Sequence, residues 1–441
     1  MTPKLQSALP RGLRDRAWVT TKLAARFGVA AAKKNLGIGE GAVVDEDEAI
    51  ARAEALVKQM GSLKGLVMKV GQMASYLPGA MPPAAQKILA ELQASALAME
   101  PEVIADEIER ELGKRPEELF ESFDREPFAA ASIGQVHRAR FEGRDVVVKV
   151  QYPGIEDAIR SDLKTVGTLV TLSSMGTKVS GSGLADELRA RLLEECDYRI
   201  EARNQRVFAR TLRAIEGARV PEIIAERSGR RVLTSSFDDG HRFARFVEQA
   251  TQEERDRAGT RVYEGCFRPL FRHGLFNADP HPGNYLFAED GVNGGGVTFL
   301  DFGCARTFDA SFIDRWKALA LCVTDRDRAR FPERLADLSF ASLSDKKFDW
   351  DAQWEAMGVL YRPMRDPNFR FTGGFVRETY DALMFKNPNK LRLGMPPEWL
   401  FLNRLQWGIF AILADLGAGP GIHAIWRESI ESKTEPISLD S

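Results

Sequence analysis

Two motifs decide the fold of this chain: Asn277-Ala278-Asp279-Pro280-His281-Pro282-Gly283-Asn284 and, after a further apolar run, Leu300-Asp301-Phe302-Gly303. The apolar residues from Tyr285 to Phe287 and from Val297 to Leu300, separated by a glycine-rich turn, predict a β-hairpin. A hairpin brings the residues at its open end together, so Asn284 and Asp301 are expected at the same end of two paired strands. One cation could therefore contact both side chains.

An Asp with an Asn five positions later, followed by Asp-Phe-Gly, is typical of protein-kinase catalytic loops. In that pattern the first Asp receives the proton of the attacking hydroxyl, while the Asn and the second Asp hold Mg²⁺. The sequence thus predicts Asp279 as a catalytic residue and Asn284 and Asp301 as metal ligands. The alternative for Asp279 taken singly is a turn residue that caps backbone N–H groups. The three residues in this order favour the phosphoryl-transfer interpretation.

The composition and charge of the chain limit the kinds of protein it can be. The 441 residues are 44% hydrophobic and 28% charged, which is typical of a soluble globular chain with two or three domains. A formal charge of −2 gives no electrostatic case for nucleic acid as a partner. We expect a cytoplasmic protein, because the cysteines lack Cys-x-x-Cys spacing and no signal peptide or bilayer-length apolar window occurs. The most apolar window, from Trp399 to Leu416, is interrupted by polar residues and predicts a buried helix.

The N-terminal region carries two amphipathic patterns. Residues 11–36 mix lysines and arginines with apolar residues, which suits contact with an anionic lipid surface, such as the inner face of a membrane. A solvated helix face over a partly buried stripe is the favoured alternative, because it is the more common role of such a segment. A long helix is predicted from about residue 46 to residue 77. On it Lys69 and Gln72 project together, away from the apolar stripe.

A second predicted β-hairpin has strands at residues 136–141 and 145–150. Small residues precede it, and they would let backbone N–H groups approach phosphate oxygens. Lys149 is the one cation in an otherwise apolar strand, so an anionic partner is expected close to it. The candidate nucleotide-binding residues beside Lys149 are Ala129, Ala130, Ala131, Ser132, Ile133, Gly134 and Gln135.

A helix predicted over residues 184–215 carries Glu195, Asp197 and Glu201, any of which could pair with Lys149. Glu201 is the favoured partner, and an exposed helical acid is the alternative for each. Strands are predicted at residues 219–224 and 231–237. The second strand ends beside Ser236, where a hinge would offer its backbone to adenine.

Together these motifs resemble the UbiB/AarF-domain atypical kinases over roughly residues 45–430. The resemblance implies an α+β, two-lobed protein-kinase-like fold, with a small β-rich N-lobe, an added N-terminal helical extension and a mostly helical C-lobe. The expected boundaries are a basic amphipathic segment at 1–44, the helical extension at 45–125, the N-lobe at 126–237, the C-lobe at 238–432 and a polar tail at 433–441.

The resemblance also implies a function. Lys69 and Gln72 would point into the nucleotide site and meet Glu195 and Asp197 as a regulatory motif. The expected cofactors are ATP (or ADP) and Mg²⁺, and the expected activity is slow ATP hydrolysis or phosphorylation of a small molecule or lipid in isoprenoid-quinone metabolism. Two alternatives stay open: a nucleotide-gated lipid-binding or chaperone-like module, and a small-molecule phosphotransferase. The sequence names neither the phosphate acceptor nor a protein partner.

Overall fold

The structure, a computed structural model, describes residues 99–131, 133–160, 193–288, 296–390, 392–394 and 397–439. The basic N-terminal segment, the predicted helix with Lys69 and Gln72, and Ser132 lie outside those residues. The described chain divides into two compact units. The first unit contains the residues up to Ile200 together with Ile223–Phe237, and the second contains Glu201–Glu222 and the chain from Asp238 onward.

Short strands and longer helices make up the described residues. The strands are β1 (Ser122–Phe123), β2 (Ala129–Ala130), β3 (Gly134–Phe141), β4 (Arg144–Gln151), β5 (Ala218–Arg219), β6 (Val232–Ser236), β7 (His241–Arg242), β8 (Leu275–Asn277), β9 (Tyr285–Ala288), β10 (Gly296–Phe299) and β11 (Ala305–Thr307). The helices are α1 (Pro101–Leu112), α2 (Pro116–Leu119), α3 (Tyr198–Leu212), α4 (Phe243–Gln249), α5 (Gln252–His273), α6 (Ala310–Thr324), α7 (Phe331–Asp337), α8 (Trp350–Leu360), α9 (Gly373–Tyr380), α10 (Pro397–Leu416) and α11 (Ile422–Glu431).

The first unit is built on an antiparallel sheet of order β1-β3-β4-β6, with β2 paired to β3. The predicted hairpin at its centre is confirmed, and β3 and β4 pair from Gly134↔Gln151 to Phe141↔Arg144. Its two-residue turn, Glu142-Gly143, has positive φ at both positions (49° and 70°), as a right-handed twisted hairpin requires. The apolar face of α1 packs on this sheet through buried residues that include Ile104 and Ile108.

The second unit is built around helix α5, and the sequence predicts a helix there over residues 253–271. Thr251 and Glu254 form a capping box at its start, and Gly274 ends it in the left-handed conformation at φ 69°. The predicted hairpin before the Asp-Phe-Gly motif is confirmed as β9 and β10, which pair from Gly296↔Ala288 to Phe299↔Tyr285. Strand β5 adds in parallel to β10, and β8 pairs with β11.

Two predictions of secondary structure were wrong in part. The expected strand at 219–224 shrinks to β5 and an isolated bridge between Ile223 and Ser235. The expected continuous helix to residue 215 is interrupted at Glu195, and α3 begins only at Tyr198. The cause lies at Asp197, whose side chain accepts a hydrogen bond from the backbone N of Arg199 (3.0 Å), a local bond that competes with helix continuation.

The C-terminal polar residues are attached to the second unit. Lys317 donates to the Ser432 carbonyl (2.7 Å) and the Thr434 hydroxyl (2.9 Å), and Ile437 packs against the core. The predicted buried helix near the C-terminus is confirmed as α10. Within the described ranges, no helix is both long and apolar enough to cross a bilayer.

Candidate functional site

Asn277, at the end of β8, joins the two sequence motifs. Its side-chain Nδ2 donates to the Asp301 carbonyl (2.7 Å), and its Oδ1 accepts from the backbone N of Asp279 (3.2 Å). Asn284 donates from Nδ2 to the Asp279 carbonyl (2.8 Å). The β9–β10 ladder continues by one bond from Leu300 N to Asn284 O (2.8 Å). These bonds bring Asp279, Asn284 and Asp301 together within the second unit.

Asp301 has a backbone conformation that few residues other than glycine adopt. Its φ is 55°, in the left-handed region, where Asp and Asn are the best tolerated of the other residues. Its Oδ1 accepts from the backbone N of Gly303 (3.2 Å), and the Asn277 bond fixes its carbonyl. Strain held by surrounding bonds is a feature of functional sites.

Helix α3 contributes two side chains to the Asp-Phe-Gly segment. Asn204 donates from Nδ2 to the Phe302 carbonyl (2.9 Å), and the Phe302 ring packs on Phe208 at 4.9 Å between centroids. A methyl group placed on Gly303 would lie 3.4 Å from Asp301 Oδ1 and 4.0 Å from Glu201 Oε2. The carboxylates of Glu201 and Asp301 therefore flank the same side of Gly303.

Arg404, on helix α10, forms an ion pair with Oδ1 of Asp279. Both side chains are only 14% exposed, so little water competes for the pair. The pair fixes the orientation of the Asp279 carboxylate and leaves Oδ2 as its other acceptor atom. Arg404 is thus a site residue that the motif analysis missed.

The donor set in this part of the second unit suits a hard divalent cation. Asn284 uses its NH₂ group on the Asp279 carbonyl, which leaves its Oδ1 as an acceptor, and the bond from Leu300 N to Asn284 O places Asn284 beside the residue that precedes Asp301. Among the described residues, no group of three or more His, Cys, Asp and Glu side chains is arranged to hold a metal by itself. Mg²⁺ takes one or two carboxylates and completes its shell with water and substrate phosphates. The residues present fit that mode of binding.

Lys149 lies on β4 in the first unit. Its ammonium sits 5.0 Å from the centroid of the Tyr198 ring, a cation–π distance. Ala129 and Ala130 form β2, which pairs with β3, and Ala131 N donates to Gly134 O (2.9 Å) to close the turn. Because Lys149 and Asp301 belong to different units, their convergence around one ligand stays a prediction.

Two side chains of the alanine-containing loop are committed to the interior of the first unit. Ile133 is 2% exposed and Gln135 is 1% exposed. The Gln135 side chain accepts from Met99 N (2.9 Å) and lies 2.9 Å from His137 Nε2. A nucleotide contact by Gln135 is therefore left to its main chain.

The remaining candidates lie at the edges of the first unit. Burial raises the pKa of Asp197, but the hydrogen bonds and charge of Arg199 together outweigh burial and hold that pKa below its ordinary value. Ser236 pairs with Val146 at the end of β6. The expected meeting of Lys69 and Gln72 with Glu195 and Asp197 involves residues outside the described ranges and stays a prediction.

Signals for two of the missed residues are present in the sequence. Asn204 is three positions after Glu201, so both project from neighbouring positions of α3. Arg404 interrupts the apolar window that predicts α10, and a cation within a buried helix needs an anionic partner. Nothing in the sequence identifies Asp279 as that partner, because the two residues are far apart in the chain.

Comparison with known proteins identifies relatives over most of the chain. A family model, the ABC1 atypical kinase-like domain, matches residues 91–335. The rat protein named atypical kinase COQ8B, mitochondrial, is 31% identical over 375 residues, which are 83% of this chain and 70% of that protein. The Saccharomyces cerevisiae protein named atypical kinase COQ8, mitochondrial, is 29% identical over 438 residues, which are 96% of this chain and 85% of that protein.

A chloroplast protein and a solved structure extend the comparison. The Arabidopsis thaliana protein ACTIVITY OF BC1 COMPLEX KINASE 8 is 36% identical over 271 residues, which are 58% of this chain and only 35% of that protein. The structure of the Rv3197–erythromycin complex from Mycobacterium tuberculosis is 29% identical, with a TM-score of 0.67 over 89% of this chain and 100% of that one. The kinase-like, mixed α/β fold expected from the sequence is confirmed by these matches.

Proposed function

Because the chain belongs to the ABC1 atypical kinase-like family, we propose that it binds ATP or ADP with Mg²⁺ and acts as an atypical kinase or ATPase. One observation carries the proposal: Asn277 and Asn284 bind the backbone of Asp279 and Asp301, so the three candidate residues share one small region. Positioning and charge neutralisation supply most of the catalysis in phosphoryl transfer, and fixed side chains are what such a site needs.

Each residue of the second unit has a proposed task. The Asp301 carboxylate and Asn284 Oδ1 would hold Mg²⁺, which when bound neutralises charge on the phosphate oxygens. Asp279, held by Arg404 through Oδ1, would accept a hydrogen bond from the attacking hydroxyl or water at Oδ2. Arg404 is a positioning residue, because it acts through Asp279.

The residues of the first unit complete the proposed site. Lys149 would bind phosphate oxygens, and Glu201, a residue of the second unit, would orient the Lys149 ammonium. Main-chain groups of the loop from Ala129 to Gln135 would approach the phosphates, and the main chain at Ser236 would contact adenine. The confirmed hairpin supports this arrangement, since it places Lys149 opposite Val136, next to the loop.

ATP hydrolysis by the full chain tests the proposal. Asp301→Asn should abolish Mg²⁺-dependent turnover while the protein stays folded, because Asn tolerates the left-handed conformation. Asp309→Asn is the matched control: Asp309 caps α6 on the surface, and Asn caps helices equally well. Turnover that is equal in both variants would refute the proposal.

Support for isoprenoid-quinone metabolism comes from the family resemblance and from relatives named COQ8 atypical kinases. In a strain that lacks the gene, the amount of quinone should fall and the quinone precursors should accumulate. The wild-type chain should restore both, and Asp301→Asn should not. An unchanged quinone profile in the deletion strain would remove this pathway from the proposal without touching the nucleotide site.

Lipid binding gated by nucleotide is the second candidate function. The basic, amphipathic sequence at residues 11–36 favours it, because anionic membrane surfaces attract such segments. Replacing Arg11, Arg14 and Arg16 by Gln in the full chain should weaken co-sedimentation with phosphatidylglycerol vesicles. If the substituted chain sediments like the wild type, this role for the N-terminal segment is wrong.

A further inference from the structure

A cavity of about 470 Å³ lies in the second unit and uses none of the residues of the candidate site. Four arginines line it: Arg326 and Arg328 after α6, and Arg362 and Arg365 after α8. Trp354, on α8, adds an aromatic wall. We call this space the arginine cavity.

Carboxylates balance only part of the positive charge of these four arginines. Arg328 pairs with Asp351, and Arg362 makes a bidentate pair with Glu378 (2.9 and 2.7 Å). Within the described residues, neither Arg326 nor Arg365 forms an ion pair with a carboxylate, although Arg365 donates to the Gly358 carbonyl. Two guanidinium groups of the cavity thus keep donor atoms for another anion.

The electrostatic surroundings of Arg365 also indicate an excess of positive charge in the cavity. Burial, and then the charges of Arg326 and Arg362, hold the pKa of Arg365 below its ordinary value. The carboxylate of Glu355, which also lines the cavity, acts in the opposite direction but does not cancel them. An anion in the cavity would relieve the repulsion between these cations.

Arg326 occupies a backbone position that favours glycine. Its φ is 61°, in the left-handed region, at the turn that follows α6. A long side chain at such a position is unfavourable unless the surrounding structure compensates. Glycine would fit this backbone position best, yet the chain has an arginine there, and that arginine lines the cavity.

We propose that the arginine cavity binds the phosphate or diphosphate group of a small ester, with Arg326 and Arg365 as its charged donors. Guanidinium groups match phosphate oxygens through paired N–H donors, and the Trp354 ring offers a surface for the organic part of the ligand. Such a group occurs both on soluble phosphate esters and on lipid headgroups. The site is separate from the proposed nucleotide site, so either can fail without the other.

Substitution of Arg326 by glycine separates binding from folding. Calorimetric titration of the full-length Arg326→Gly chain with inorganic pyrophosphate should show affinity at the cavity reduced by about tenfold, the worth of one charge-assisted bond. Its melting temperature should stay level or rise, because glycine fits φ 61°. Arg365→Met should weaken the same binding.

The control variant is Arg330→Gln, which removes one positive charge from the surface 3.5 Å from Asp327, outside the cavity lining. Any pyrophosphate that binds at the proposed nucleotide site should bind equally to Arg326→Gly and Arg330→Gln. A difference in pyrophosphate affinity between the two variants therefore comes from the arginine cavity. Equal pyrophosphate affinity for wild type, Arg326→Gly and Arg330→Gln would overturn the proposal, unless vesicle binding depends on Arg326.

Vesicles distinguish the two sources of phosphate. Binding to phosphatidylcholine vesicles that contain phosphatidic acid, but not to phosphatidylcholine alone, should be lost in Arg326→Gly if the ligand is a lipid headgroup. Pyrophosphate binding that depends on Arg326, without such vesicle binding, assigns a soluble ester. If neither probe responds to Arg326→Gly or Arg365→Met, the cavity is not a phosphate site.

Discussion

The β3–β4 hairpin of the first unit and the Asn277–Gly303 segment of the second both carry predicted site residues, but different forces hold them. The hairpin is ordered by a regular backbone ladder from Gly134↔Gln151 to Phe141↔Arg144. The second segment depends on side-chain amides and an ion pair, with Asp301 in a left-handed conformation. The stability of the first region should therefore depend mainly on the space around its backbone, and the stability of the second mainly on its polar side-chain partners.

The largest expected effect tests the role of space, through one glycine in each region. A Cβ at Gly134 would lie 2.2 Å from the Val150 carbonyl oxygen, a backbone atom that moves only if the hairpin opens. Gly134→Ala should lower the free energy of unfolding by about 2–3 kcal/mol. Gly303→Ala meets only ordinary contacts and should cost less than about 1 kcal/mol. Urea unfolding measures the loss of unfolding free energy in each variant, and equal losses would contradict the claim that only the first region is sensitive to space.

The next effect tests polar partners in the second region. Asn277→Ala leaves the Asp301 carbonyl and the Asp279 N–H without their partner, which should cost about 2 kcal/mol in unfolding free energy. ATP turnover should fall by more than the loss of folded protein explains, because the backbone segments that carry both carboxylates lose a hydrogen bond each. Asn368→Ala, in an exposed loop, is the control. Full turnover in Asn277→Ala would mean that the amide does not organise the site.

These two regions also show what sequence alone could predict. The hairpins, α5 and α10 follow from alternation, periodicity and turn residues, which are local signals. The motif residues Asp279, Asn284 and Asp301 follow from spacing. The break before α3 was missed, because the bond from Arg199 N to Asp197 competes with a helical pattern that continues through it. The pair of Asp279 with Arg404 was missed, because it joins residues that only the tertiary fold brings together.

A smaller effect should follow from the loss of that pair. Arg404→Gln leaves the Asp279 carboxylate without its cation and should lower the unfolding free energy by about 1 kcal/mol, a modest loss because the Gln amide can still donate a neutral hydrogen bond to that carboxylate. The kcat of ATP hydrolysis should fall, with KM for ATP little changed, because Arg404 positions Asp279. Arg392→Gln, which breaks the exposed pair with Asp345, should change neither. A changed KM with normal kcat would contradict the positioning role.

The smallest effect belongs to the first unit and depends on pH. Burial lowers the pKa of His137, which stacks on Phe123 and bonds to the Asp124 carbonyl (2.8 Å). The unfolded chain therefore binds a proton at His137 more readily than the folded chain does. The contribution of neutral His137 to the free energy of unfolding is complete above about pH 6.5 and is lost as the pH falls below that value. Thermal unfolding between neutral and mildly acidic pH should show a loss that His137→Gln reduces. His423→Gln should leave the loss unchanged.

Binding of Mn²⁺ in the presence of ATP, followed by electron paramagnetic resonance, decides whether Asp301 holds a metal ion beside the nucleotide, since Mn²⁺ replaces Mg²⁺ at oxygen ligands. The wild-type chain should bind Mn²⁺ with ATP at least about tenfold more tightly than Asp301→Asn, the loss expected for one charged ligand. Equal binding by the two proteins would contradict a kinase-type metal site at Asp301.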